Sequence, residues 1–153
     1  MKQRFYLDTS VFGGAFDVEF EILSLQLFDK IRSGSIICIY SELTEGELYN
    51  APQKVKDLLE SLPAENKEYV QITDEALSLA RQYITEKVVG ETSFDDCLHI
   101  ALATVHKADV LVSWNFKYIV NIYRIRGYNS VNIRQGYISL DIRSPKEIIE
   151  DGN

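Results

Sequence analysis

The sequence predicts an α/β fold, a mainly parallel five-stranded sheet with helices on both faces, and three observations carry that prediction. Short continuous apolar runs such as Ile36-Ile37-Cys38-Ile39-Tyr40 and Val110-Leu111-Val112 suit strands buried on both sides. Between them lie longer segments whose apolar residues recur at helical spacing. No linker, repeat or low-complexity stretch interrupts the alternation, so all of residues 1–153 are read as one domain.

In chain order, residues 4–7 form the first strand. Residues 19–33 read as a helix with Phe20, Leu23, Leu27, Phe28 and Ile31 on one stripe, ended by Gly34. The run 36–40 is the second strand, and 42–49 and 53–62 are short helices, the latter striped by Val55, Leu58, Leu59 and Leu62 and closed by Pro63. Residues 70–72 are a third strand, after which Thr73 caps a helix with Asp74 and Glu75 in its first turn and Ala76, Leu77, Ala80 and Ile84 turned inward. A strongly apolar helix spans 94–107 and a fourth strand 109–113. Residues 116–126 read as a helix stopped by Gly127, residues 131–133 as the last core strand, 137–142 as an extended tail, and Ser144-Pro145 as the start of a final helix.

Composition bounds the function. With 46% hydrophobic and 25% charged residues the chain is an ordinary soluble domain. It has neither a stretch of the ~20 apolar residues that span a bilayer nor the apolar core of a signal peptide, so the expected setting is cytoplasmic, away from membranes. Cys38 and Cys97 lie far apart in apolar surroundings without metal-ligand spacing, as reduced core thiols do. A net charge of −7 argues against a sequence-tolerant nucleic-acid binder, which carries a basic face, but suits an acidic metal site.

The chemistry begins at Asp8, which ends the run Phe5-Tyr6-Leu7 and precedes Thr9-Ser10. A carboxylate at the carboxyl end of a buried strand points into the crevice where such folds bind ligands, and burying it calls for a cation. Three further segments bring polar groups to the same edge. In Ser41-Glu42-Leu43-Thr44-Glu45-Gly46-Glu47-Leu48, Glu45 and Glu47 lie two apart on a helix, so only one enters the crevice. In Ser93-Phe94-Asp95-Asp96-Cys97-Leu98-His99, the acids open a helix, where a capping role is the competing reading. In Ser113-Trp114-Asn115-Phe116, Asn115 follows a strand and also has the character of a cap. Carboxylates brought together repel unless a cation joins them, and hard oxygen donors suit Mg²⁺ or Mn²⁺.

These segments, in this order and spacing, resemble the PIN-domain family, above all its VapC-type toxin ribonucleases. The resemblance rests on Phe5 to Ser10, Ser41 to Leu48, Asp96-Cys97-Leu98-His99-Ile100-Ala101-Leu102-Ala103 and Ala108 to Phe116, and covers nearly the whole chain. It implies a three-layer α/β/α sandwich and a metal-dependent endoribonuclease. Asp8, Glu47 and Asp96 match the family's three acidic positions and would hold Mg²⁺ or Mn²⁺, which activates a water for in-line attack on an RNA phosphate. Asp95 is a near miss. Asn115 stands where many members carry a fourth aspartate, so one charge is missing. Ser10 and Ser113 match small hydroxyl positions that orient carboxylates or waters. The resemblance also implies RNA as substrate, a small antitoxin as partner, and a homodimer. The early segment with Phe12, Phe16, Phe20, Leu23 and Leu27 offers apolar surface for such an interface.

Other readings compete with this one. His99, three residues after Asp96, is a ligand, an orienting donor, or simply a packed helix histidine; His106, near a helix end, is structural. Lys117, Tyr118, Tyr123, Arg124, Arg126 and Arg134 are either RNA contacts or a solvated face. A PIN-fold module that has lost catalysis and binds RNA or protein is the alternative function, favoured only by Asn115. A phosphatase with an Asp8 nucleophile expects a second aspartate where Ser10 stands.

Overall fold

In the computed structural model, which describes residues 2–87 and 92–151, five parallel strands form one sheet between two layers of helices. The elements in chain order are β1 (Gln3–Leu7), α1 (Thr9–Gly14), α2 (Glu21–Arg32), β2 (Ile36–Ser41), α3 (Glu42–Leu48), α4 (Gln53–Glu60), β3 (Lys67–Val70), α5 (Asp74–Thr85), α6 (Phe94–Val105), β4 (Val110–Val112), α7 (Ile122–Arg134), β5 (Asp141–Arg143) and α8 (Pro145–Asp151). The strand order is β3-β2-β1-β4-β5, with β1 in the middle.

Period-two alternation splits the core between the two faces. Tyr6, Ile39, Leu111 and Ile142 face α5, α6 and α7, where Ala80, Tyr83, Ile100 and Val131 meet them. Phe5, Leu7, Cys38, Val110 and Val112 face the other way, onto Phe12, Leu27, Phe28 and Ile31. Each central strand is apolar on both faces, which is why these runs read as continuous rather than alternating.

The chain after Asn115 departs from the sequence reading. Residues 116–126 do not form a helix ended by Gly127, and 131–133 is not a strand; α7 starts only at Ile122, after residues 116–121, and runs through Gly127 and 131–133 to Arg134. The start is fixed by Asn121, whose side chain accepts from the backbone N–H of Tyr123 and Arg124. Tyr128, Val131 and Asn132 then lie on one buried face at helical spacing, and Asn132 is bonded to Tyr83 and Thr104. An apolar triplet cannot by itself distinguish strand from helix. The fifth strand instead comes from the extended tail, Asp141–Arg143, paired to β4.

Smaller shifts have local causes. β3 is Lys67–Val70 rather than 70–72, because residues 38–41 of β2 set its register. On α5, Leu79 and Tyr83 join Ala76 and Ala80 in the core, while Leu77 is half-buried and Ile84 exposed. The segment 19–33 begins its helix only at Glu21, and α1 forms before it. Gly34 has φ +84°, the left-handed conformation expected of a residue that ends a helix. Phe12 and Leu27 are fully buried, so they add nothing to an exposed apolar face; Val18, at 98% exposure, and Ile22, at 72%, supply that surface instead. Cys38 and Cys97 are free and buried, and burial pushes both thiols up to about 12. Among the described residues no helix is long and apolar enough to cross a membrane.

Candidate active site

Asp8 stands where β1 gives way to α1, in extended conformation at the helix N-cap position, yet its side chain makes no capping bond. It is buried, and its two oxygens accept hydrogen bonds from Ser10 Oγ and Ser113 Oγ, both at 2.6 Å. The strand register explains the second contact. Leu7 pairs with Val112, so the next residue on each strand, Asp8 and Ser113, meet side by side. Burial pushes the Asp8 carboxyl up; His99 and the two serines pull the other way without undoing it, and Asp96 adds to the rise. Both oxygens of this buried carboxylate are therefore oriented by hydroxyls, and neither caps the helix that follows.

Glu47 arrives on α3. Ser41 and Thr44 cap that helix reciprocally, Ser41 Oγ accepting from Thr44 N and Thr44 Oγ1 from Ser41 N, each at 3.2 Å. Of the two glutamates, Glu47 is the one turned to the crevice: its Oε1 accepts from Thr9 Oγ1 at 2.7 Å and contacts His99 Nε2 at 2.5 Å. Glu45 lies instead in a separate hollow of about 200 Å³ with Leu48, Tyr49 and Lys56. Burial works to raise the Glu47 carboxyl, but its hydrogen bond to His99, the field of that ring and the Thr9 hydroxyl outweigh it and hold the group below the usual range.

Asp96 opens α6, and its backbone N–H donates to Ser93 Oγ at 3.2 Å, so the helix is capped by Ser93 and the Asp96 carboxylate is left half-buried. Burial pushes this carboxyl up, Ser93 and His99 oppose it, and the charges of Glu47 and Asp95 add to the rise. Asp95 is exposed. Asp8, Glu47 and Asp96 thus act on one another electrostatically, Asp96 coupling to both of the others.

Asn115 follows β4 through Ser113 and Trp114. Its Oδ1 accepts from Tyr118 N at 3.0 Å, and its own N–H donates to Ser113 Oγ at 2.9 Å. One lone pair of the amide oxygen is therefore taken by the turn. Beyond it, Lys117 and Arg124 approach the Tyr118 ring at 5.1 and 4.9 Å, and Arg124 also bonds Thr92 Oγ1. Arg134 is paired with Glu86 instead.

The sequence reading did not single out Tyr6, Ser41 or Thr9 as partners of the acids. Tyr6 OH lies 2.7 Å from His99 Nδ1 and 2.8 Å from Ser41 Oγ, all buried. One signal was available: Tyr6 precedes Asp8 by two residues, so strand alternation turns both to the same face. His99, 2% exposed, is neither idle packing nor a lone ligand but the link between Tyr6 and Glu47. His106 ends α6 with Nε2 3.3 Å from Gln71 O, a structural position.

Whether these residues suit a metal depends on their donors. Among the described residues no three His, Cys, Asp or Glu side chains are closed up around an ion site. The reason is visible in the rotamers, since Glu47 turns to His99 and Thr9 and Asp8 to its two serines. The donor set is nonetheless of the hard-oxygen type that suits Mg²⁺ or Mn²⁺, and burial, with the charge of neighbouring acids, raises the carboxyls of Asp8 and Asp96.

A family model described as PIN domain matches residues 5–117. Solved structures with the same fold include VapBC2 from Rickettsia felis bound to a DNA fragment from its promoter, 13% identical, covering 93% of this chain and 98% of that chain with a TM-score of 0.61. Mycobacterium tuberculosis VapC20, described as a Sarcin-Ricin loop cleaving toxin, is 11% identical, with coverage of 89% and 98% and a TM-score of 0.59. FitAcB from Neisseria gonorrhoeae is 14% identical, with coverage of 92% and 97% and a TM-score of 0.57. No curated protein matches the sequence.

Proposed function

The chain belongs to the PIN-domain family, and from that premise we propose that it is a VapC-like ribonuclease dependent on Mg²⁺ or Mn²⁺. The observation that carries the proposal is Asp8, buried between two donating serines and near enough to Asp96 for the two charges to interact. Asp8, Glu47 and Asp96 are the residues that would hold the ion. A divalent cation there would offset two of the three carboxylate charges and activate water toward phosphorus. The protein's own contribution is positioning: Ser10 and Ser113 fix the plane of the Asp8 carboxylate, and the Asn115 amide, its oxygen tied to Tyr118, offers a donor to a phosphate oxygen or a water. The deciding assay is cleavage of single-stranded and looped RNA with added Mn²⁺ and with EDTA; cleavage that persists undiminished in EDTA refutes the metal role.

RNA as the substrate draws support from the basic-aromatic cluster beside Asn115. Replacing Lys117 and Arg124 together with alanine is expected to weaken RNA binding and to reduce the slope of log affinity against log salt by about 1 for each phosphate no longer neutralised. Filter binding at several salt concentrations measures this, and an unchanged slope places the two cations on a solvated face. The neighbours named VapBC and FitAcB, with the exposed Val18 and Ile22, support a small antitoxin as partner and a homodimer, both read by light scattering with and without the partner.

Asn115 alone favours the second reading, a PIN-fold module that binds without cleaving. Asn115→Asp retains an acceptor for Tyr118 N and adds the missing charge. It is expected to tighten Mn²⁺ binding by roughly tenfold, the order for one added charge in a partly solvated site. Calorimetry checks this, and a wild type that binds no Mn²⁺ moves the chain to the second reading.

A further inference from the structure

We propose that His99 is a positioning residue for Glu47, the end of a buried chain Ser41–Tyr6–His99 that holds the glutamate in the crevice. The inference rests on the reading of Glu47 as an ion ligand. Glu47 needs such a hold. It sits in the last turn of the seven-residue α3, its side chain is 32% exposed, and a free glutamate has rotamer freedom whose loss costs about 1.5–2 kcal/mol.

The hydrogen-bond inventory fixes the Glu47 end of the chain. A carboxylate only accepts, so Nε2 of His99 donates to Glu47 Oε1. In the neutral ring Nδ1 then accepts, the Tyr6 hydroxyl donates to it, and Ser41 Oγ donates to the Tyr6 oxygen. Ser41 is itself fixed by its reciprocal cap with Thr44. The result ties the orientation of Glu47 to β1, β2 and α6 at once. Both bonds to Glu47, from His99 and from Thr9, fall on Oε1, so Oε2 is the oxygen that would serve an ion. Asp96, one helical turn before His99, shares its face of α6, so the same helix supplies one ligand and orients another.

The two polar isosteres of histidine separate this role from packing. His99→Gln places an amide N–H near Nε2 and keeps a donor for Glu47; His99→Asn places its amide near Nδ1 and keeps only the bond to Tyr6. Mn²⁺ alone is titrated calorimetrically into the full chain and each variant. Affinity is expected to fall about 10- to 100-fold in His99→Asn but to stay within about threefold of wild type in His99→Gln, the scale seen when an orienting partner is removed or kept. Melting in EDTA is expected to be alike for the two, which excludes misfolding as the cause. Weakening in the glutamine variant as deep as in the asparagine variant, or an asparagine variant that binds like wild type, overturns the proposal. Long-range ¹H–¹⁵N correlation spectra of the metal-free protein read the ring without any ion: a protonated Nε2 is expected, and a bare Nε2 overturns the positioning role by itself. A wild type that binds no Mn²⁺ yet shows a protonated Nε2 removes the ligand set and with it the premise, a result distinct from failure of the His99 link.

Discussion

Asp8→Asn is expected to abolish Mn²⁺-dependent RNA cleavage while making the metal-free protein more stable at neutral pH. The loss of activity follows from the place of Asp8 between Ser10 and Ser113: the amide keeps the shape but not the charge that draws the cation. Metal assistance is worth several kcal/mol in such reactions, so a fall of about 10²- to 10³-fold or more is the expected scale. The gain in stability follows from burial, which raises the Asp8 carboxyl above its ordinary range. A carboxyl raised on folding favours the folded state only when protonated. Its contribution is present below the unfolded value and is lost as the pH rises through the folded one. At pH 7, above the unfolded value, the raised Asp8 carboxyl therefore counts against folding of the metal-free chain, and asparagine relieves it. Thermal melts in EDTA are expected to show the variant above wild type at pH 7, with the gap closing as the pH falls below the usual carboxylate range. A variant that melts lower at pH 7, or that still cleaves with Mn²⁺, contradicts the arrangement described for Asp8.

The second large effect is expected at a glycine. A Cβ at Gly14 would lie 2.7 Å from Trp114 Nε1 and 2.8 Å from both Trp114 Cδ1 and Ser24 Oγ. The indole is held by its hydrogen bond to Ser24 Oγ at 2.8 Å and by stacking on Phe20 at a centroid distance of 4.2 Å. It cannot move without disturbing the backbone that follows β4, where Trp114 N donates to Ser10 Oγ at 2.9 Å. Gly14→Ala is expected to cost about 1–3 kcal/mol, the usual range for overpacking, less the part of ~1 kcal/mol that alanine returns as a better helix former. At this chain length that lowers the melting temperature by roughly 2–4 °C per kcal/mol. Gly13→Ala is the control, since a Cβ there meets nothing within 4 Å. Trp114 is the single tryptophan of the chain, so its emission reports the displacement directly. An alanine at residue 14 that leaves emission and melting unchanged refutes the close approach.

What could be read from the sequence follows how locally each feature is encoded. Asp8 was legible because an apolar strand running into an acid is a local pattern. The choice of Asp96 over Asp95 and of Glu47 over Glu45 came from the family resemblance, and the geometry separates each pair, with Asp95 exposed and Glu45 in another hollow. The contacts among Tyr6, Ser41 and His99 were not legible, because they join residues 35 and 93 positions apart through a register that only the assembled sheet defines. The fit of Trp114 over Gly14 is long-range in the same way. The misreading of 131–133 has a different cause: three apolar-flanked residues fit either period, and the deciding signal was the Asn121 cap ten residues earlier.

The strand order has a consequence for what selection can change. From β1 at the centre, the chain goes first to β2 and β3 on one side and later to β4 and β5 on the other. The crossover from β1 leads to β2 on one side, the crossover from β3 returns past β1 to β4 on the other, and the gap between them at the carboxyl end of β1 is made by the path of the backbone rather than by any side chain. The groove and its chemistry are therefore inherited separately. A descendant that exchanged its acids one at a time would keep that groove intact, and such a groove is a ready starting point for a protein that holds a ligand without altering it.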